Sequence, residues 1–185
     1  MTEPINPVRR IVTIDDHATK KSLAIEDRPS PDVRTDPARP GFASTRIWVT
    51  DSSPVRIENK FRDTLASPHS LEPPPRGSLC RIVTIPPDAS WCGRVGASEV
   101  AAFFQAMGSP RASTFSSRAA HPYMQKTATL DFCLILEGEV TLVLDTEEVA
   151  LHAGDTVVQR GTNHAWSNRS DRPCRIGISS HDARP

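Results

Sequence analysis

The spacing of hydrophobic and polar positions changes along the chain and divides it into two parts. Residues 1–78 contain most of the prolines, and the short alternating segments RRIVTI, KSLAI and STRIWVT lie between them. Proline has no backbone N–H to donate to a sheet, so this pattern predicts a few strands joined by long loops. We expect residues 1–78 to form an extension that packs on a domain of residues 79–185.

One helix is predicted in the second part, after the alternating strand SLCRIVTI. The segment ASEVAAFFQAMG has apolar residues at helical spacing, which places them on one face. Ser98 is expected to be its N-cap and Gly108 its stop. The pattern therefore predicts a short helix near residues 98–107 whose aromatic side chains serve in packing.

From His121 onward the pattern indicates dense β-structure. Short runs of apolar residues alternate with turn sequences such as EGE, DTEE and HAGD, which is typical of an antiparallel sandwich or barrel. The runs FCLIL and VTLVL are apolar at both parities, so both faces of these strands should be covered. One face should line the barrel, while the N-terminal strands or a second copy of the chain cover the other. A homodimer is the expected assembly.

One strand face carries an unusual set of polar groups. If the chain is extended from His121 to Ile135, alternate residues share a face, and that face has hydroxyls, an amide and one carboxylate instead of several charges. A few polar groups among apolar walls are typical of a pocket for a small molecule. The alternative is a solvent-facing strand whose threonines reflect only β-propensity.

Charge and composition exclude several classes of partner. Lys plus Arg and Asp plus Glu both total 22, so no net charge favours nucleic acid or an anionic membrane surface. The first residues contain no apolar segment of the kind found in signal peptides, and a cytoplasmic location is expected. The four cysteines show no metal-binding spacing and are expected to be free thiols.

Two motifs give the segment from His121 to Ser180 a family likeness. In GDTVVQRGTNHAWSN, a glycine turn precedes His164 and Asn168, and six residues separate Asp131 from the Gly138 turn. This segment resembles the cupins, small barrels in which such motifs supply metal ligands. The resemblance implies an all-β fold: a cupin-type jelly-roll β-barrel, or antiparallel sandwich, with extra N-terminal strands and one short helix.

The resemblance also shows where this chain departs from the family. Asp131 stands at the position of the family's glutamate and His164 at that of the histidine in the second motif. Gln125 and Thr127 stand where two further imidazoles are expected, and both are weak metal ligands. We therefore favour no bound cofactor. The alternative is a divalent metal, Fe, Mn, Zn or Ni, held by His164, Asp131 and Gln125.

Without a metal, Asp131 and His164 are expected to face each other across the barrel as a general acid/base couple, in which the carboxylate orients the imidazole ring and adjusts its basicity. Substrate-binding roles are expected for residues on the polar face and beside His164, namely His121, Tyr123, Gln125, Thr127, Thr129, Cys133 and Trp166. This hypothesis predicts a lyase or isomerase of secondary metabolism that dehydrates, cyclises, isomerises or decarboxylates a small carbonyl compound.

Three alternatives remain open from the sequence. The first is a metal-dependent oxygenase or decarboxylase, and the second is a protein that binds a small molecule without converting it. In the third, Asp131 and His164 form a structural pair that only ties two strands together. The remaining histidines are expected at the surface: His17, His69, His152 and His181.

Overall fold

The computed structural model of the protein describes residues 7–16, 18–58 and 60–184. His17 therefore lies outside the described residues. The described part contains one α-helix, α1 (Ala97–Ala106), and several short 3-10 turns. Its strands are β1 (Arg9–Asp16), β2 (Lys21–Pro29), β3 (Val33–Thr35), β4 (Ala43–Thr50), β5 (Ser78–Ile85), β6 (Thr129–Glu137), β7 (Glu139–Val143), β8 (Glu148–His152), β9 (Thr156–Arg160), β10 (Ala165–Ser167) and β11 (Cys174–Asp182).

All strand pairs in the described chain are antiparallel, and they form three sheets. A six-stranded sheet has the order β3-β4-β5-β11-β6-β9, a three-stranded sheet has the order β10-β7-β8, and β1 pairs with β2 as a hairpin. One hydrophobic core joins the two larger sheets, with Ile135 and Ile176 from one and Leu142 and Trp166 from the other. The predicted all-β antiparallel sandwich is confirmed.

Strand β5 shows why the six-stranded sheet forms. Leu79, Arg81, Val83 and Ile85 are buried, and the residues between them are half-buried, as expected for a strand that has a core on one face and partial cover on the other. Strands β4 and β11 flank it. Strands β3 and β4 from the proline-rich part thus extend the sheet, while the division at residue 78 stays a prediction.

Helix α1 lies within a residue of its predicted bounds, but its predicted N-cap is wrong. Gly96 is the N-cap, and its backbone N–H donates to the Glu99 carboxylate at 2.9 Å. Ser98 is already inside the helix, where its hydroxyl donates to the same carboxylate. The Glu99 side chain satisfies the free N–H more effectively than a hydroxyl already in the first turn. Gly108 ends the helical segment with a φ of +68°.

The predicted extended strand from His121 to Ile135 is only partly correct. Strand β6 begins at Thr129, and the preceding residues form turns with an isolated bridge between Gln125 and His164. From Thr129 onward the alternation holds, since Thr129, Asp131, Cys133 and Ile135 are buried. The earlier residues leave the six-stranded sheet, and Gln125 bridges Ser113 and His164 instead, which single-strand periodicity does not reveal.

The outer face of β6 is exposed, contrary to the expectation of cover by the N-terminal strands. Phe132 and Leu134 are 50% and 42% exposed, and Val158, paired with Phe132 on β9, is 59% exposed. Within the described chain the His181 ring packs against Phe132, but about half of the surface of these side chains stays exposed. The homodimer that would cover them stays a prediction.

Candidate functional site

A cavity of about 50 Å³ lies inside the sandwich, between the six-stranded sheet, helix α1 and strand β10. Its walls are mostly apolar, with a few polar side chains among them, the usual composition of a ligand site. The lining residues are Arg39, Phe42, Ser44, Leu71, Arg81, Val83, Ile85, Phe103, Tyr123, Gln125, Trp166 and Ile178. The space holds one or two water molecules or a group of similar size.

Arg39 forms one end of the cavity from the segment between β3 and β4. Its Nε donates to the Asp36 carboxylate at 2.7 Å, and its guanidinium lies 3.5 Å from the Tyr123 ring centroid and 4.4 Å from that of Phe103. Burial lowers the pKa of Arg39 despite these contacts. Its Nη2 is buried without a hydrogen-bond partner. The guanidinium is therefore held firmly in place but still has a donor available for a further hydrogen bond.

Arg81 enters the cavity from the middle of β5. It is 7% exposed, and its one hydrogen bond within the described chain runs from Nη1 to the Leu71 carbonyl at 2.8 Å. Its Nε is buried without a partner, and burial lowers the pKa of the guanidinium. The nearest described carboxylate that acts on its charge is Asp131, which makes no hydrogen bond with it. Arg81 is therefore a buried cation with unused donors.

His164 lies behind the cavity, beside two of its wall residues. Its Nδ1 lies 2.9 Å from the Thr162 carbonyl, so Nδ1 carries the proton and donates it. Nε2 then accepts from the Gln125 amide at 3.3 Å, and the ring packs edge-on against Trp166. Burial lowers the pKa of His164, although the Thr162 carbonyl and the Asp131 charge oppose the shift. The neutral imidazole therefore keeps its Nε2 lone pair at neutral pH.

The turn before His164 depends on a glycine. Gly161 has a φ of +61°, and a Cβ there would lie 3.1 Å from the Thr127 carbonyl oxygen. This close approach brings the chain back toward residues 125–127, where backbone hydrogen bonds between Gln125 and His164 fix both side chains. Glycine is favoured at this positive φ, because an L-side chain is strained there and its Cβ would crowd the Thr127 carbonyl.

Asp131 is buried on β6, but it does not orient His164 as predicted. The ring's two hydrogen-bond partners in the described chain are Thr162 and Gln125, and Asp131 acts on the ring only through its charge. One carboxylate oxygen of Asp131, Oδ1, is buried without a partner. The backbone carbonyl thus fixes the tautomer, a role that the sequence assigned to the carboxylate.

The structure brings some of the predicted binding residues together and separates others. Tyr123, Gln125 and Trp166 line the cavity. Cys133 and Thr129 are buried on β6 outside its walls, and the Thr129 hydroxyl lies 2.7 Å from that of Thr127.

His121 belongs to a second buried cluster. Its Nδ1 accepts from the Tyr123 backbone N–H at 3.1 Å, and its ring packs against Trp91. Its Nε2 has no hydrogen-bond partner and lies 3.9 Å from an Asp88 oxygen. Burial lowers the pKa of His121 to about 4, aided by the positive charge of Arg39. His121 does not line the cavity, so its predicted binding role has no direct geometric support.

The other described histidines differ in their exposure to solvent. His152 is exposed at 67%, as predicted, and His181 is half-buried. The prediction for His69 is wrong: its side chain is 3% exposed and its Nδ1 lies 3.1 Å from the Asp32 carboxylate. A loop that carries several prolines folds over the sheet here, and the local sequence does not indicate such burial.

Sequence reasoning missed the two arginines of the cavity. Arg81 had a detectable signal, since it shares a strand face with Leu79, Val83 and Ile85, where a cation is out of place. Arg39 had none, because it lies in a proline-rich segment without periodicity. Phe103 was assigned only to packing, yet it also closes the cavity.

The side chains at the family's metal positions do not fit a metal centre. They offer one imidazole, one carboxylate, an amide and a hydroxyl, and the amide nitrogen of Gln125 faces His164 Nε2. In the described part of the chain, no three His, Cys, Asp or Glu side chains lie close enough together to hold an ion.

Comparison with known proteins agrees with the fold and the motifs. Residues 116–180 match the family model described as a cupin domain. These 65 residues thus form a cupin domain, and the chain has an all-β cupin fold.

Curated relatives come from fungal biosynthesis clusters. The chain is 31% identical over 128 residues to phomopsin biosynthesis cluster protein C′ of Diaporthe leptostromiformis, a match covering 66% of this chain and 51% of the relative. It is 46% identical over 66 residues to oryzines biosynthesis cluster protein J of Aspergillus oryzae, covering 35% and 37%. The chain thus spans about half the length, or less, of these relatives.

One similar solved structure is a Cupin 2 conserved barrel domain protein from Salinispora arenicola. It is 16% identical, with a TM-score of 0.43, over 87% of this chain and 92% of that one.

Helix α1, of ten residues, is the longest in the described part of the chain, and no helix there is long and apolar enough to cross a membrane.

Proposed function

We propose that the protein is an enzyme of secondary metabolism that binds a small carbonyl compound in the barrel and transfers protons without a metal. The observation that carries this proposal is the fixed tautomer of His164, whose Nε2 lone pair faces a wall residue of the cavity. The relatives from fungal biosynthesis clusters support the metabolic setting. A lyase or an isomerase is the corresponding class.

The local geometry supports His164 as the base. A substrate proton that replaces the Gln125 amide would meet the Nε2 lone pair, and the imidazolium formed would be stabilised by the Thr162 carbonyl and the Asp131 charge. The displaced Gln125 amide can donate to a carbonyl oxygen of the substrate, whereas the Tyr123 hydroxyl already donates to the Asp36 carboxylate at 2.9 Å. A lowered pKa keeps the ring neutral, and therefore basic, at neutral pH.

The cavity is small for a complete substrate, since ligand sites usually measure about 300–1,000 Å³. A substrate larger than its head group must displace wall side chains. Phe103 is the natural candidate, because it comes from helix α1 and not from the two facing sheets.

Deuterium exchange tests proton transfer without knowledge of the natural substrate. A panel of small keto acids and diketones in D₂O is followed by proton NMR for loss of the signals next to the carbonyl group. We expect exchange above the buffer rate for at least one compound and a loss of about 10²-fold or more in His164→Gln. Asp131→Asn should slow exchange less, because Asp131 acts only through its charge.

His152→Gln is the matched control, since that side chain is exposed at 67% and remote from the cavity. The wild-type rate should rise with pH through the lowered pKa of His164 and should level off at a lower pH than it would with an ordinary imidazole as the base. Full exchange activity in His164→Gln would rule out the proposed base.

A further inference from the structure

The cavity has an excess of positive charge on its walls. Arg39 and Arg81 both line it, and no carboxylate is among the lining residues. Arg39 is already paired with Asp36, whereas Arg81 has no salt bridge within the described chain and one hydrogen bond to a backbone carbonyl. A buried guanidinium without a paired anion is strongly unfavourable in a purely structural role.

Several donors around this space are unused. Nε of Arg81, Nη2 of Arg39 and the hydroxyl of Ser44 are all buried without a hydrogen-bond partner. In native proteins nearly all buried polar atoms are bonded, so a concentration of unpaired donors at one cavity marks a place where a ligand or ordered water completes the bonding. All three groups can donate, which favours an acceptor-rich ligand.

We propose that the cavity binds the carboxylate group of an organic acid through Arg81 and Arg39. This inference rests on the proposed function and narrows its substrate class to carboxylated carbonyl compounds. A guanidinium fork matches the two oxygens of a carboxylate, giving short and strong hydrogen bonds. A carboxylate is planar and of the size that about 50 Å³ admits, and the rings of Tyr123, Phe103 and Trp166 provide apolar walls for the attached carbon.

The position of this anion site relative to His164 gives it a role in substrate orientation. Gln125 and Trp166 contact both the cavity and the His164 ring. A carboxylate held by Arg81 would leave the neighbouring carbons of the ligand beside the Gln125 amide and His164 Nε2. The arginines thus act as binding residues that present the reacting carbon to the base.

Direct binding of small probes tests the inference independently of turnover. Acetate and acetamide have nearly the same shape, but only acetate carries the charge, and inorganic phosphate is a larger anion. Each is titrated by calorimetry at constant ionic strength. We expect acetate to bind the wild-type protein at least tenfold more tightly than either acetamide or phosphate. Equal binding of acetate and acetamide, tighter binding of phosphate, or no binding of acetate up to 100 mM would overturn the carboxylate assignment.

Variants locate the bound probe. Arg81→Met removes the charge while keeping a long apolar side chain, and acetate should then bind no more tightly than acetamide. Arg81→Lys keeps the charge without the fork and should weaken acetate binding about tenfold, so the prediction remains testable if the methionine variant folds poorly. Arg160→Met is the control, because it removes the same charge from an exposed position on β9. Unchanged acetate binding in both Arg81 variants would refute the site.

The experiments distinguish failure of the proposed anion site from failure of the proposed catalytic base. If acetate binding depends on Arg81 but His164→Gln keeps full deuterium exchange, the anion site stands and the catalytic proposal fails. If exchange depends on His164 but acetate and acetamide bind alike, the base stands and the carboxylate assignment fails.

Discussion

Two buried arginines that face each other across neighbouring strands have very different surroundings. Arg46 on β4 is paired in register with Arg81 on β5, and they are 2% and 7% exposed. Arg81 makes a single hydrogen bond, to a backbone carbonyl. Arg46 donates to the Asp32 carboxylate and to three carbonyls, those of Leu65, Ser67 and Pro68.

This difference in hydrogen bonding is what we expect between an arginine buried for stability and an arginine buried to bind a ligand. The guanidinium of Arg46 ties the loop after β4 to the sheet, and its hydrogen bonds compensate for the loss of water. Arg81 has lost water without equivalent replacement, beside a cavity that another molecule can enter. Among buried charges of the same chemical type, the number of bonds formed within the chain therefore distinguishes the roles.

The largest expected effect is on stability, in Arg46→Met. The change leaves the partly buried Asp32 carboxylate with His69 but without its arginine partner, and three carbonyls lose a donor, so we expect a loss of about 3 kcal/mol in the free energy of unfolding. Urea denaturation measures it. Arg81→Met should change stability by no more than about 1 kcal/mol, since a cation with few bonds is replaced by an apolar side chain. Similar losses in both variants would break the comparison.

His121 extends the comparison to a buried side chain that forms few hydrogen bonds but does not line the cavity. Its pKa is about 4 in the folded protein against 6.5 when unfolded, so the unfolded chain binds the extra proton between these values. Stability present above pH 6.5 is therefore lost as pH falls toward 4, by about 3 kcal/mol. His121→Asn should lose this component of the pH dependence in urea titrations, whereas His152→Asn should retain it.

Asn168 is an uncharged counterpart of Arg46, because its buried side chain forms several hydrogen bonds within the chain. It is fully buried, donates to the Ile85 and Arg172 carbonyls, and accepts from Ser170. We expect Asn168→Ala to lower the free energy of unfolding by about 2–3 kcal/mol, because two carbonyls lose their partner. Acetate binding should stay within twofold of wild type in the folded variant. A large loss of binding would show that Asn168 belongs to the site.

The smallest expected effect concerns the exposed apolar face of β6 and β9. Phe132→Ser should leave the stability of the protomer within about 0.5 kcal/mol, because half of that side chain is exposed. If the predicted homodimer uses this face, sedimentation should show weaker association in the variant. An unchanged oligomeric state would place the interface elsewhere.

Much of the fold could be predicted from local pattern alone. Alternation in SLCRIVTI and in the run from Thr129 to Ile135 gave the buried faces of β5 and β6, and helical spacing gave α1. The turns around Gly138 and Gly161 could be located because positive φ angles favour glycine. The cupin motifs also located His164 and Asp131.

The sequence by itself therefore determined the strand faces, the glycine turns and the residue types at the motif positions, because these depend on neighbours a few residues apart. Only the tertiary structure decided which polar groups share a cavity. It moved His121 into a separate cluster, gave the orientation of His164 to the Thr162 carbonyl, and placed Arg39 from a proline-rich loop beside Arg81. Such contacts join residues that are distant in the chain, and local periodicity carries no information about which of them meet.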